Sequence, residues 1–184
     1  MESVYYRIKD YSYEGREDLS LVKRASFVHI PWLLGIPWTA TVTAPITVDL
    51  SKDMGGDIIP DLFLTGLPLL SPKVLAILES LGIDNFDLYD ADITTRTGEH
   101  ITDYKAFYLI GALACMDEGN SNFRKLHPGR ISVWDLVIDE SRTMGMPMFR
   151  LAEDPLWLLI SEEVKEAFEA ADVLGAYYTP VPCT

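Results

Sequence analysis

Apolar residues recur at 74, 77, 78 and 81 in the stretch SPKVLAILESLG (71–82), the i, i+3, i+4, i+7 spacing of one helical face. Ser71 stands where an N-cap belongs, Pro72 fits the first helical position, and Gly82 fits the position just past the end. The spacing predicts a helix here. A second helix is predicted from near Ser161, where Val164, Ala167, Phe168 and Ala171 keep the same period. Glu162 and Glu163 fall in its first turn, where the helix dipole favours each by about 0.3–1 kcal/mol. LLSPKVLAILESLG and LLISEEVKEAFEAADVLG share an apolar pair, a serine cap, a valine three residues on and a glutamate eight residues on. Each then runs into a segment with aromatics, which suggests a repeated strand–helix–strand unit.

Strand signals fill most of the rest. VYYRI (4–8) has strand composition and precedes a polar loop that runs through Asp18. Residues 27–38, FVHIPWLLGIPW, carry two prolines and a glycine and read as an irregular or edge segment. TATVTAPITVDL (39–50) is dense in β-branched residues, and Pro45 should break it or hold it at an edge. SKDMGGD (51–57) reads as a turn, and DLFLTG (61–66) as a short strand or turn. IDNFDLYDADITTR (83–96) reads as a strand followed by a turn at TRTGEH; DYKAFYLIGALACM (103–116) fits a buried strand better, although LIGALACM alone is also compatible with a helix. DEGNSNFRKLHPGR (117–130) has loop composition; VWDLVID (133–139), MFRLAE (148–153) and AYYTPV (176–181) read as strands. About seven strands and two main helices predict one α+β domain over 1–184, with a mostly antiparallel or mixed sheet.

Composition narrows the function. Hydrophobic residues make up 48% of the 184 positions, which excludes a disordered chain. Twenty-eight acids against 15 Lys and Arg give a net charge of −13. That field repels phosphates and anionic lipid, so nucleic acid and membranes are not expected partners, whereas a basic protein is favoured. Neither a secretory leader nor an apolar run of membrane-spanning length is apparent, and two cysteines imply no disulfide framework, so a reducing cytoplasmic setting is expected.

Candidate chemistry is sparse. The sequence carries no glycine-rich phosphate loop, no G-x-S-x-G, no C-x-x-C and no H-E-x-x-H, and His29, His100 and His127 stand apart. No catalytic residue, metal or cofactor is expected. The densest acidic set is DNFDLYDAD, in which Asp90 and Asp92 should share one strand face and Asp87 the other. With Asp117 and Glu118 these are the candidate residues for a charged, partner-facing rim. Among the aromatics, Trp32, Trp38, Trp134, Trp157, Tyr5, Tyr6, Tyr177 and Tyr178 could anchor an interface where they are exposed. A carboxylate-pair hydrolase, and a small scaffold or ligand-binding module, are the alternatives.

A resemblance sharpens this. FRLAE, an apolar run, S-x-x-V-K-E-A-F-E-A, a glycine and an aromatic strand ending at Pro180 resemble the C-terminal signature of a bacterial polymorphic-toxin immunity family, immunity family eleven. DLFLTGLPLLSPKVLAILESLGIDNFDLYDADI and WDLVIDESRTMGMPMFRLAE resemble its preceding blocks, in order. The likeness covers roughly 57–181, and the first 50 residues match loosely, chiefly through YYRI. It implies a cytoplasmic, non-catalytic protector that binds a cognate toxin and blocks it. The acidic charge suits a basic toxin such as a nuclease.

Overall fold

Both helices begin at the serines that the sequence marks. In the computed structural model, which describes residues 5–10, 17–26, 32–37, 42, 44–127 and 129–184, Ser71 and Ser161 each accept a hydrogen bond from a backbone N–H three residues on. The chain first forms β1 (Tyr5–Asp10), β2 (Ser20–Ala25), β3 (Ile46–Gly55), β4 (Leu62–Phe63) and β5 (Leu69–Leu70). Then come α1 (Pro72–Ser80), β6 (Phe86–Thr94), β7 (His100–Ile101), β8 (Lys105–Leu109) and β9 (Ala112–Leu113). After these follow the hairpin of β10 (Asn122–His127) and β11 (Arg130–Asp135), and a 3-10 turn at Glu140–Arg142. β12 (Met148–Leu151), β13 (Leu158–Ser161), α2 (Glu162–Ala170) and β14 (Ala176–Val181) complete the fold.

The expected α+β architecture holds. A seven-stranded mixed sheet runs β2-β3-β6-β8-β5-β4, with β7 on β6, and a five-stranded sheet runs β14-β1-β13-β12-β9. Pro45 stands immediately before β3, where its missing N–H costs no ladder bond. The loop predicted before Asp18, His29, Trp38 and most of the 27–43 segment lie outside the described residues.

The repeat suspected in the sequence is structural, and it extends beyond the helices. Val74 and Leu78 of α1 match Val164 and Phe168 of α2, all buried. Gly82 and Asp172 end the helices with positive φ (68° and 48°), and Ile83 N to Leu78 O repeats as Val173 N to Phe168 O, both 3.0 Å. Gly and Asp are residue types that enter this region at low cost. The order β4-β5-β8-β6 recurs as β12-β13-β1-β14, every pairing antiparallel. Registers match as well: Phe86 faces Leu109 and Asp90 faces Lys105, as Ala176 faces Asp10 and Pro180 faces Tyr6. The third strand follows α1 in the first unit but is borrowed from the N-terminus in the second.

The first core lies where these units meet. It gathers equivalent residues two by two: Leu62 with Met148, Leu70 with Ile160, Val74 with Val164, Leu78 with Phe168, and Phe107 with Ile8. A second core takes the other face of β12 and β13 (Phe149, Leu151, Leu159), with Trp157, Cys115 and Ile138. A third fills the space between β3, β6 and β4 with Ile46, Val48, Ile93 and Phe63.

Two loop assignments are corrected. SKDMGGD is not a turn, because β3 continues to Gly55 and pairs with Ser20. Its glycines serve close approach instead: a Cβ on Gly56 would stand 2.0 Å from Asp18 O, and one on Gly55 2.5 Å from Leu19 O. DEGNSNFRKLHPGR contains β10, a polar strand that pairs with β11 and packs Phe123 on the second core. The predicted strand at 133–139 accordingly shifts to Arg130–Asp135, and the 103–116 strand divides at Gly111 (φ 138°) into β8 and β9.

Candidate partner-binding surface

β6 places three of the predicted acids as its alternation requires. Ala91 and Ile93 are buried in the third core, so Asp90 and Asp92 face the other way. Asp90 Oδ1 meets Lys105 Nζ at 2.5 Å across the strand pair, and Asp92 Oδ1 meets His100 Nδ1 at 2.7 Å. Both carboxylates therefore already have a partner. Asp87 sits on the opposite face, pairs across the sheet with Tyr108, and its charge helps raise the pKa of Tyr89 and Tyr108, after burial.

Asp117 belongs elsewhere, in the loop between β9 and β10. Its carboxylate accepts hydrogen bonds from Asn120 Nδ2 (2.7 Å), Thr184 Oγ1 (3.0 Å) and Gly119 N (2.9 Å). The side-chain bond from Asn120, then that from Thr184, holds its pKa below the ordinary carboxylate value. Glu118 is exposed beside it. The five acids thus fall into two sets, three on β6 and two in the loop between β9 and β10, which Asp117 organises.

A different constellation surrounds Tyr108. Its hydroxyl donates to Ile36 O at 2.5 Å, and Trp32 stands edge-on to Tyr89 and Tyr108 at 5.9 and 6.2 Å. Gly111 N donates to Gly35 O at 2.8 Å, and a Cβ on Gly35 would come 3.1 Å from Ala112 Cβ, so the segment lies flat against β9. Strapped down this way, residues 32–37 turn Leu33, Leu34 and Ile36 outward, 38%, 48% and 49% exposed. Leu33, Leu34 and Ile36 thus place three neighbouring apolar side chains at the surface, a candidate for the apolar part of a docking surface.

Arg150 of β12 lies beside this strap. Its Cα partner is Ala112, and its backbone N donates to Gly111 O at 2.9 Å. The residue is only 3% exposed. Nη1 donates to Pro155 O at 2.9 Å, Nε is buried with no acceptor, and no carboxylate among the described residues pairs with it. Burial pulls its pKa down to about 10, and Tyr108 acts in the opposite direction. A guanidinium stays charged at neutral pH, so an uncompensated charge of this kind costs on the order of several kcal/mol. Arg7 shares a buried Nε without an acceptor, and burial lowers its pKa too, but its guanidinium stacks 3.8 Å over Trp157 and Asp154 favours its charge.

Other exposed apolar groups lie on the β10–β11 hairpin, where Leu126 and Trp134 accompany Arg124, Lys125 and Arg130 beside a groove of about 580 Å³. Trp157 and Tyr5 are buried in the second core, whereas Trp134 and Tyr177 reach solvent. Arg150 was missed in the sequence reading. Its signal was available: an arginine within MFRL, where the other three side chains are apolar and all four prove buried.

Among the described residues, no three His, Cys, Asp or Glu side chains group as a metal site, and no helix is long and apolar enough to cross a membrane. The groove that holds two acids, Asp10 and Asp53, has both engaged: Asp10 accepts from Leu64 N, Thr65 N and Thr65 Oγ1, and Asp53 faces Lys23 at 3.7 Å. No curated protein matches the chain closely enough to report a relative. The model of the immunity protein family Imm11 matches residues 44–182, from the approach to β3 through the end of β14. With most of both repeated units inside that match, the chain belongs to the Imm11 immunity protein family.

Proposed function

We propose that this protein neutralises a cognate bacterial toxin by binding it stoichiometrically, without catalysis, in the cytoplasm of the cell it protects. The family match over 44–182 carries this reading. The geometry supports it through an exposed apolar strap, which matches the apolar centre of a protein-binding surface. Leu33, Leu34 and Ile36 form its apolar centre, with Asp87 on the same face of β6 as Tyr89, whereas Asp90 and Asp92 form a separate charged rim on the opposite face. Lys105 keeps that rim from being uniformly negative, and on binding its ion pair with Asp90 can exchange for a pair with the toxin. Asp117 and Glu118 would extend the contact only if the toxin also reaches the loop between β9 and β10. A basic toxin, such as a nuclease, suits the −13 charge.

Co-expression with the product of the adjacent open reading frame tests this directly. Growth should be restored, and the two proteins should co-elute as a complex of fixed stoichiometry. Persistent toxicity together with separate elution would overturn the assignment.

A further inference from the structure

We propose that Arg150 is an anchor for a carboxylate: an aspartate or glutamate side chain of the toxin docks on the buried guanidinium, beside the apolar strap. This rests on the reading of the protein as a toxin-binding partner and adds a specific contact to it.

The argument starts from what Arg150 lacks. The chain has 28 acidic residues, yet none of those described is placed against the one arginine that is almost wholly buried. One backbone carbonyl satisfies Nη1, while Nε is sealed from water without an acceptor. Nη2 makes no hydrogen bond and is not among the sealed atoms, so it is the nitrogen still open to an incoming group. A hydrogen bond from Nη2 to a carboxylate oxygen is charge-assisted, and surroundings of low dielectric strengthen such a contact. Leu33, Leu34 and Ile36 are next to it through Gly35, Gly111 and Ala112, and would exclude water from the pair once covered. A fold that leaves a charge buried and half-satisfied gives up stability that a partner's counter-charge can return.

Arg150 could instead serve only to close the turn at Pro155. Arg150→Met separates the two roles, since it fills the volume and removes the charge. Wild type, R150M and R150K are compared for melting temperature and for affinity to the toxin encoded by the adjacent gene. As an independent arm, the Arg150 Nε–H resonance and the melting temperature are followed in sodium acetate against sodium chloride of equal ionic strength.

The expected result is an unchanged or higher melting temperature for R150M, with affinity at least ~10-fold weaker, and an intermediate loss for R150K. Acetate should shift the Arg150 resonance and raise the melting temperature of wild type but not of R150M. Unchanged affinity of R150M overturns the proposal, and a fall in its melting temperature would then assign Arg150 to the Pro155 turn. If wild type itself fails to bind the toxin, the functional reading falls. An acetate response in that case keeps the carboxylate site and overturns its assignment to a toxin, while no response overturns both.

Discussion

Asp61 accepts hydrogen bonds from Ser71 Oγ (3.0 Å), Lys73 Nζ (2.7 Å) and Leu174 N (2.9 Å), and so ties the start of α1 to the loop after α2. It is as buried as a core residue and fully partnered, the opposite of Arg150. Its removal would therefore strand Ser71 Oγ and Leu174 N, while Lys73 keeps Asp172 O as an acceptor. Asp61→Ala should lower the unfolding free energy by about 2–4 kcal/mol, and Asp61→Asn by less, as measured by urea denaturation. A loss under about 0.5 kcal/mol for the alanine variant would mean that the staple adds nothing beyond local packing. At this scale the sequence was partly legible. Ser71, Ser161 and Gly82 announce their roles because capping is a local matter of backbone and one side chain. Asp61 and Arg150 do not, because their partners or lack of them depend on segments far away in sequence.

Single elements combine into two units of one plan, and the second of them is incomplete without β1. Removal of residues 1–10 would strip β13 and β14 of their shared neighbour and take Ile8 from the first core. A fragment limited to the family-matched residues 44–182 should accordingly lack a cooperative thermal transition, although it holds both helices and most strands. Circular dichroism melting would decide it: a cooperative transition close to that of the full chain would show that β1 is dispensable. The sequence did mark residues 4–8 as a strand, yet nothing in VYYRI says that it stands in for β8. Strand pairing across the whole length of a chain is set by tertiary contact, not by local pattern.

For the molecule as a whole, the net charge of −13 is the dominant long-range property. Charge of one sign steers an oppositely charged partner during encounter, and salt screens it within about 8 Å at physiological ionic strength. The association rate with a basic toxin should therefore fall about tenfold or more between low and high salt, while the dissociation rate changes little. Stopped-flow measurements across ionic strength would test this. A rate indifferent to salt would leave the acidity a role in solubility alone. The charged rim on β6 would contribute less to that slope than its count of acids suggests, because Asp90 and Asp92 are already paired.

The sequence by itself determined the two helices, their caps, the α+β class, the strands of strongest alternation and the family. All of these rest on local spacing, or on blocks whose order survives in one dimension. Only the tertiary structure decided that the helical repeat reaches into the sheets, with β1 and β8 in equivalent places. It also decided that Gly55 and Gly56 admit a neighbouring backbone rather than turn the chain, and that a polar stretch taken for a loop carries β10. The same holds for Arg150. The apolar neighbours of Arg150 in MFRL hint at its burial, but that no carboxylate among the described residues meets it is decided by the fold, because pairing is a property of contacts between distant residues.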